Sequence, residues 1–167
     1  MIVPRRLRWL WLTLAVVFLD RATKAWFETQ TAEGWRHQVI PGFFYLVHSK
    51  NPGIAFSLFA NSSSPLVRVL LIAGALAIIG LIAWLLVAGR NVGALNAAGL
   101  ALLLGGAAGN VVDRIVHGGV TDFLEFYLWT YRYPAFNVAD SAITMGAILV
   151  LLDVLFGTHQ QVASQLK

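Results

Sequence analysis

Cysteine is absent from the 167-residue chain, so disulfides, thiolate metal sites and a thiol nucleophile are excluded. Charge is scarce: Asp, Glu, Lys and Arg make up 12% of the residues, against 58% that are hydrophobic. A soluble domain of this length needs far more charged surface. With a mean hydropathy of +0.71, the composition predicts a polytopic membrane protein of one small domain, without a separate soluble module. Basic runs that would track a phosphate backbone are lacking too. The net charge of +4 is spread along the chain, and no nucleic-acid partner is expected. The four histidines, His37, His48, His117 and His159, are scattered and no HExxH occurs. No zinc-protease site is therefore expected, nor any other metal or cofactor. There is no GxSxG elbow, no phosphate-cradling glycine loop and no GxGD. Ser49 and Lys50 are adjacent and would not face each other as nucleophile and base in regular structure.

Long apolar runs dominate what is present. Residues 9–27, 66–89, 92–112 and 135–156 are each of about 20 residues, enough to cross the roughly 30 Å hydrocarbon core. Arg5, Arg6 and Arg8 precede the first run, as in a signal peptide, but no clean small-x-small cleavage site follows it; a retained helix is expected. Between the first two runs, residues 38–49 (QVIPGFFYLVHS) are β-branched and aromatic and bounded by Pro41-Gly42 and Asn51-Pro52-Gly53. They predict one or two short strands. Ser64 reads as the N-cap and Pro65 as the first residue of the second helix, with a tight turn at Gly89-Arg90-Asn91 before the third. The polar interval 113–134 ends in Phe126, Tyr127, Trp129, Tyr131 and Tyr133, rings that favour the membrane–water interface.

Four spans put both termini on one side, and the Arg5/Arg6/Arg8 cluster argues that this side is cytoplasmic. Residues 28–65 and 113–134 are then extracytoplasmic. Arg36, Lys50, Arg114 and Arg132 lie outside with them, where carboxylates are expected to engage them. The same topology gathers Asp20, Glu28, Glu33, Asp113, Asp122, Glu125 and Asp140 at the outer face, leaving only Asp153 near the inner end.

Ionisable groups at such depths are costly and usually functional. Asp20 and Lys24 stand at i and i+4, acid before base; they either only neutralise each other or also orient a neighbouring site or contact a lipid head group. Gly105 and Gly109, with the small residues between them, form a face for close helix approach. Asn110, Asp113 and Arg114 continue that helix at i, i+3 and i+4 and read as a structural lock. Asp140 has Asn137 at i−3 and no basic residue in its helix. Asp122 is expected in a loop folding back over the same face. Two carboxylates held together share one proton, so that one deprotonates water while the other donates to a carbonyl oxygen. Spacing alone leaves Asp113 with Asp140 as open as Asp122 with Asp140. An alternative reading is a small membrane transporter or channel subunit using these acids as a proton or cation path. The acids gather at one face, however, instead of lining both halves of a route.

Several blocks then stand in order: Asp20-Arg-Ala-Thr-Lys24, Asn51-Pro-Gly-Ile-Ala-Phe56, Gly105-Gly-Ala-Ala-Gly-Asn-Val-Val-Asp-Arg114, Gly119-Val-Thr-Asp-Phe123 and Phe136-Asn-Val-Ala-Asp140. In these blocks the chain resembles the lipoprotein signal peptidases (signal peptidase II), membrane aspartic endopeptidases of bacteria. The resemblance implies an all-α integral membrane fold, four transmembrane helices with a small extracytoplasmic β-rich cradle, in the cytoplasmic (inner) membrane. It implies Asp122 and Asp140 as the catalytic pair. Asp20, Lys24, Asn51, Gly53, Asn110, Asp113, Arg114 and Asn137 match positions that shape or support the site. The implied partners are a diacylglyceryl prolipoprotein, cut just before its lipidated cysteine, and the surrounding membrane lipids. Residues 38–56 are expected to cover the site. Two departures are Pro52, where the family commonly has Thr, and Thr121, where Val is common. Proline at 52 removes a backbone N–H and fixes φ beside Asn51.

Overall fold

The computed structural model describes residues 5–53, 65–88 and 93–157. A 3-10 turn, Arg5–Trp9, leads into α1 (Leu10–Gln30). Strands β1 (Arg36–Ile40) and β2 (Phe44–Asn51) follow. Helix α2 (Pro65–Ala88) precedes α3 (Ala94–Val116). Strands β3 (Val120–Leu128) and β4 (Tyr131–Phe136) lead into α4 (Val138–Leu152), which ends in a π turn, Asp153–Gly157. Pro65 opens α2, where its missing N–H would have had no intrahelical partner. The expected Ser64 cap, the turn at 89–91 and residues 54–56 of the covering segment lie outside the described residues.

The bundle is apolar outside and polar within, the reverse of a soluble domain. Leu66, Leu70, Ile78 and Trp84 of α2 and Trp11 and Phe18 of α1 are exposed, whereas Asp20, Lys24, Asn110, Asp113 and Asn137 are buried. Leu66–Ala88, Ala94–Val116 and Val138–Phe156 are long and apolar enough to cross a membrane. Helix α1 carries Asp20, Arg21, Lys24 and Glu28 and is not among these three.

Glycines let α3 sit at the centre. A Cβ at Gly105 would lie 2.8 Å from the Val16 side chain of α1, and one at Gly99 2.8 Å from the Gly146 carbonyl of α4. Side chains of ordinary size there would push the helices apart, so the small-residue face works through backbone approach. On the remaining side Ile82 and Leu86 of α2 pack on Ala97, Leu100 and Leu104 of α3.

The strands form one antiparallel sheet in the order β1-β2-β3-β4. β1 and β2 fall where the composition of residues 38–49 predicts strands. The sequence reading assigns no strand to 120–136, and the structure puts two there. Asp122 accordingly stands on β3 and not in a loop. Charged residues at 122 and 125 interrupt the apolar pattern that would announce a buried strand, and both are buried against partners from other elements. Register shifts between Leu46 and Ser49, after which Ser49 pairs with Asp122 and Asn51 with Val120. An irregularity of this kind re-aims side chains. The sheet seats on α1 through Phe27, whose ring stacks on Phe123 at 4.7 Å.

Candidate active site

Asn137 organises the site because it ends a strand region and begins a helix. It is the N-cap of α4: its side chain accepts from Asp140 N at 2.9 Å, and Asp140 accepts from Asn137 N at 3.3 Å, a reciprocal capping box. With Oδ1 committed to the cap, Nδ2 is turned toward β3 and donates to Asp122 Oδ1 at 2.7 Å. Asn137 thus holds both acids, Asp122 through its side-chain amide and the Asp140 carboxylate through its backbone N–H. Asn110 of α3 donates to Asp140 Oδ1 at 2.8 Å, and Asn51 of β2 donates to Asp122 Oδ2 at 3.3 Å. Asp140 lies in the first turn of α4, nearer its start than a span beginning at 135 suggests.

Both acids line a cavity of about 750 Å³. Asn51, Asn110, Arg114 and Arg132 give it a polar end, and Ala75, Ile78, Ile82, Leu103 and Ile143 an apolar one. Burial pushes the Asp122 carboxyl up from 3.8 to about 7, and the nearby charge of Asp140 adds to the rise. Hydrogen bonds from Asn137 and Asn51 and the charge of Lys24 oppose it. A carboxyl poised near neutrality beside a second carboxylate can hold a proton and release it.

Beneath the pair lies a fully buried ion network. Lys24 bonds Asp20 and Asp113, each at 2.7 Å, and donates to Asn110 Oδ1 at 3.1 Å. The amide that contacts Asp140 is thereby fixed with its NH2 toward the acid. Asp20 also accepts from Ala139 N at 2.9 Å, satisfying another donor of α4's first turn. The pair at 20 and 24 is therefore more than mutual neutralisation: it joins α1, α3 and α4. Gly109 is needed here, since a Cβ would lie 2.5 Å from Asp20 Oδ2.

The expected Asn110–Asp113–Arg114 lock is built differently. Asp113 turns to Lys24 and Arg21. Arg114 donates to the Asn110 carbonyl at 3.1 Å and to the Gly53 carbonyl at 2.9 Å, so it ties the end of β2 to α3. Gly53 N donates to Asn51 Oδ1 at 3.0 Å. The N–H used in this turn belongs to residue 53, and proline at 52 removes no bond from it.

Sequence reasoning missed several residues. Arg21 bonds both Asp113 and Glu28, and Glu28 accepts from Thr121 Oγ1 at 2.7 Å. Thr121, where valine is common in the family, thus ties β3 to α1 beside Asp122. The charged ladder Asp20, Arg21, Lys24, Glu28 along α1 was the available signal. Glu125 is buried between Arg36 and Arg132, so two of the cations expected outside do meet a carboxylate. Glu28, Asp113 and His117 place potential ligand atoms within 4.8 Å of one another, but Arg21 already supplies a cation to both acids.

Comparisons with known proteins agree on a relationship. The family model for signal peptidase (SPase) II matches residues 12–156. A lipoprotein signal peptidase from Solibacter usitatus is 45% identical over 142 residues, covering 84% of this chain and 87% of that protein. Another from Pseudomonas putida is 43% identical over 151 residues, 89% of this chain and 87% of that one. A solved bacterial membrane enzyme superposes with a TM-score of 0.81 at 26% identity, covering 90% of this chain and 89% of the other.

Proposed function

Since the chain belongs to the signal peptidase II family, we propose that its acids at 122 and 140 are the catalytic pair of that activity. The protein is a membrane aspartic protease that processes prolipoproteins, in the bacterial inner membrane. The observation that carries the assignment is Asn137, bonded at once to Asp122 Oδ1 and to Asp140 N. Asp122, with its proton held to about pH 7, donates to the scissile carbonyl oxygen. Asp140 takes a proton from the attacking water. The tetrahedral intermediate collapses with proton return to the leaving amine. Asp113, the other candidate by spacing, is engaged by Lys24 and Arg21 and serves as support. Asp20, Lys24, Asn51, Gly53, Asn110, Arg114 and Asn137 position the pair.

The substrate in this reading is a diacylglyceryl prolipoprotein cut before its lipidated cysteine. Helix α1 is the fourth span: its charges turn inward to α3, α4 and β3, while Trp11, Phe18 and Leu19 are exposed to lipid. Both termini are cytoplasmic, and the sheet lies outside with residues 28–65 and 113–134. Cleavage of a synthetic diacylglyceryl prolipoprotein by the purified protein, with the products weighed by mass spectrometry, tests this. A free signal peptide ending one residue before the lipidated cysteine is expected. No peptide product, with ion flux in proteoliposomes, would replace the protease by a transporter.

A further inference from the structure

Helix α1 grips the chain beside each acid. Its Asp20 accepts from Ala139 N at 2.9 Å, next to Asp140. Its Glu28 accepts from Thr121 Oγ1 at 2.7 Å, next to Asp122. Between residues 20 and 28 the helix rises about 12 Å, at about 1.5 Å per residue. Phe27, beside Glu28, stacks on Phe123 at 4.7 Å. Thr121 and Phe123 alternate with Asp122 along β3 and so share the opposite face of the strand. Both of its neighbours are anchored to α1.

These anchors stand where the sheet holds Asp122 least. β4 pairs with β3 from Leu124 onward, so no β4 residue lies beside Asp122. Asn137 Nδ2 reaches in instead, to Thr121 O at 3.4 Å and to Asp122 Oδ1 at 2.7 Å. On the β2 side the register shifts between Leu46 and Ser49, just before Ser49 pairs with Asp122, and such a shift interrupts the ladder. Side-chain contacts must therefore fix this end of β3. Glu28 is itself fixed: Arg21 bonds it at 3.3 Å and also bonds Asp113, which Lys24 bonds at 2.7 Å. Lys24 in turn holds Asn110, the donor to Asp140. A chain of contacts thus runs behind the site from one acid to the other.

We propose that Glu28 and Thr121 are positioning residues of the reaction: with Asp20 at the other grip, they make α1 the ruler that sets how far apart Asp122 and Asp140 stand. The inference rests on the prolipoprotein reading and the acid pair above. Valine is common at 121 in the family, but in this chain it would leave Glu28 Oε1 without the hydroxyl that donates to it.

The test measures kcat and KM on a synthetic diacylglyceryl prolipoprotein for the parent, Thr121→Val, Thr121→Ser, Glu28→Leu and the double variant Thr121→Val, Glu28→Leu, each normalised to its folded fraction. Valine keeps the size and strand preference of threonine, so folding is expected. Thr121→Val should lower kcat by about tenfold or more, because small misplacements of reacting groups are costly, with KM within about twofold. Thr121→Ser, which keeps a hydroxyl, should hold kcat within about threefold of the parent. Glu28→Leu should match Thr121→Val, and the double variant should fall no further than the lower single, since both remove one bond. The high-pH limb of kcat, which Asp122 places at about 7, should move down by about half a unit or more in Thr121→Val, as a looser Asp122 is less buried and further from the charge of Asp140. An undiminished kcat in Thr121→Val, a fall that Thr121→Ser shares, additive losses in the double variant or an unmoved limb would overturn the proposal. No cleavage by the folded parent would sink the prolipoprotein reading itself, whereas a parent that cleaves beside an undiminished Thr121→Val sinks only the positioning role.

Discussion

Replacing Asp122 by Asn separates the chemical role of this carboxyl from its cost to the fold. Burial and the charge of Asp140 raise it from 3.8 to about 7. Between those values the native state holds a proton that the unfolded chain has released, so stability falls as pH rises from 3.8 through about 7. The full shift corresponds to about 4 kcal/mol at high pH, and the part realised between about pH 5 and about pH 8 is roughly 3 kcal/mol. The residue is 3% exposed, so solvent screening removes little of this. Asn cannot ionise. It keeps an acceptor for Asn137 Nδ2 but presents a second NH2 to Asn51, losing a bond of 3.3 Å and about 1 kcal/mol. Thermal unfolding in detergent micelles, followed by tryptophan fluorescence, should therefore find the variant near the parent at about pH 5 and above it at about pH 8. The gap should widen by roughly 5–10 °C, with hydrolysis lost throughout. A gap that stays constant across this pH range would refute the reasoning, because Asp122 would then not be the group that holds the proton.

Other expectations follow from the same contacts. Asn137→Ala should lower stability by about 1 kcal/mol through the lost cap, read by thermal unfolding. It should also cut kcat by more than tenfold, since the amide that fixes Asp122 against the first turn carrying Asp140 is gone. Asn137→Asp keeps the cap acceptor and places a third carboxylate between them, so unfolding should show less damage than kcat does. Lys24→Met leaves Asp20 and Asp113 buried without their shared cation and should cost about 3–5 kcal/mol, seen as loss of folded protein in size-exclusion chromatography. Gly109→Ala brings a Cβ to 2.5 Å from Asp20 Oδ2 and should destabilise by about 1–3 kcal/mol, with the double variant Gly109→Ala, Asp20→Gly relieving the clash but not the lost bond to Ala139.

What was legible in the chain followed its periodicities and its local pairs. Asp20 with Lys24 is an i, i+4 pair on a helix, so its meeting was readable, and the Gly105–Gly109 face announced close packing. The bonds from Lys24 to Asp113 and Asn110 were not readable, because they cross from α1 to α3 and depend on how the helices dock. Asn137 looked like a helical neighbour of Asp140; it is the residue just before the helix, and only that extended backbone frees its NH2 for Asp122. Strand β3 escaped notice because Asp122 and Glu125 break its apolar pattern, and β4, half exposed, carries Arg132 and Pro134. The burial of the two acids is made tolerable by Asn137, Asn51, Arg36 and Arg132, three of them from distant segments. The family blocks pointed to Asp122 over Asp113 where spacing was silent, and the contacts of the two acids supply a physical reason for that preference.

The most direct test of the central claim is turnover of a diacylglyceryl prolipoprotein by four proteins side by side: the parent, Asp122→Asn, Asp140→Asn and Asp113→Asn, each normalised to its folded fraction. Loss of at least about a hundredfold is expected for the first two variants, as for removal of a general acid or base, while Asp113→Asn keeps its turnover per folded molecule. Near-parental turnover by Asp122→Asn, with loss in Asp113→Asn, would contradict the account and move the dyad to Asp113 and Asp140.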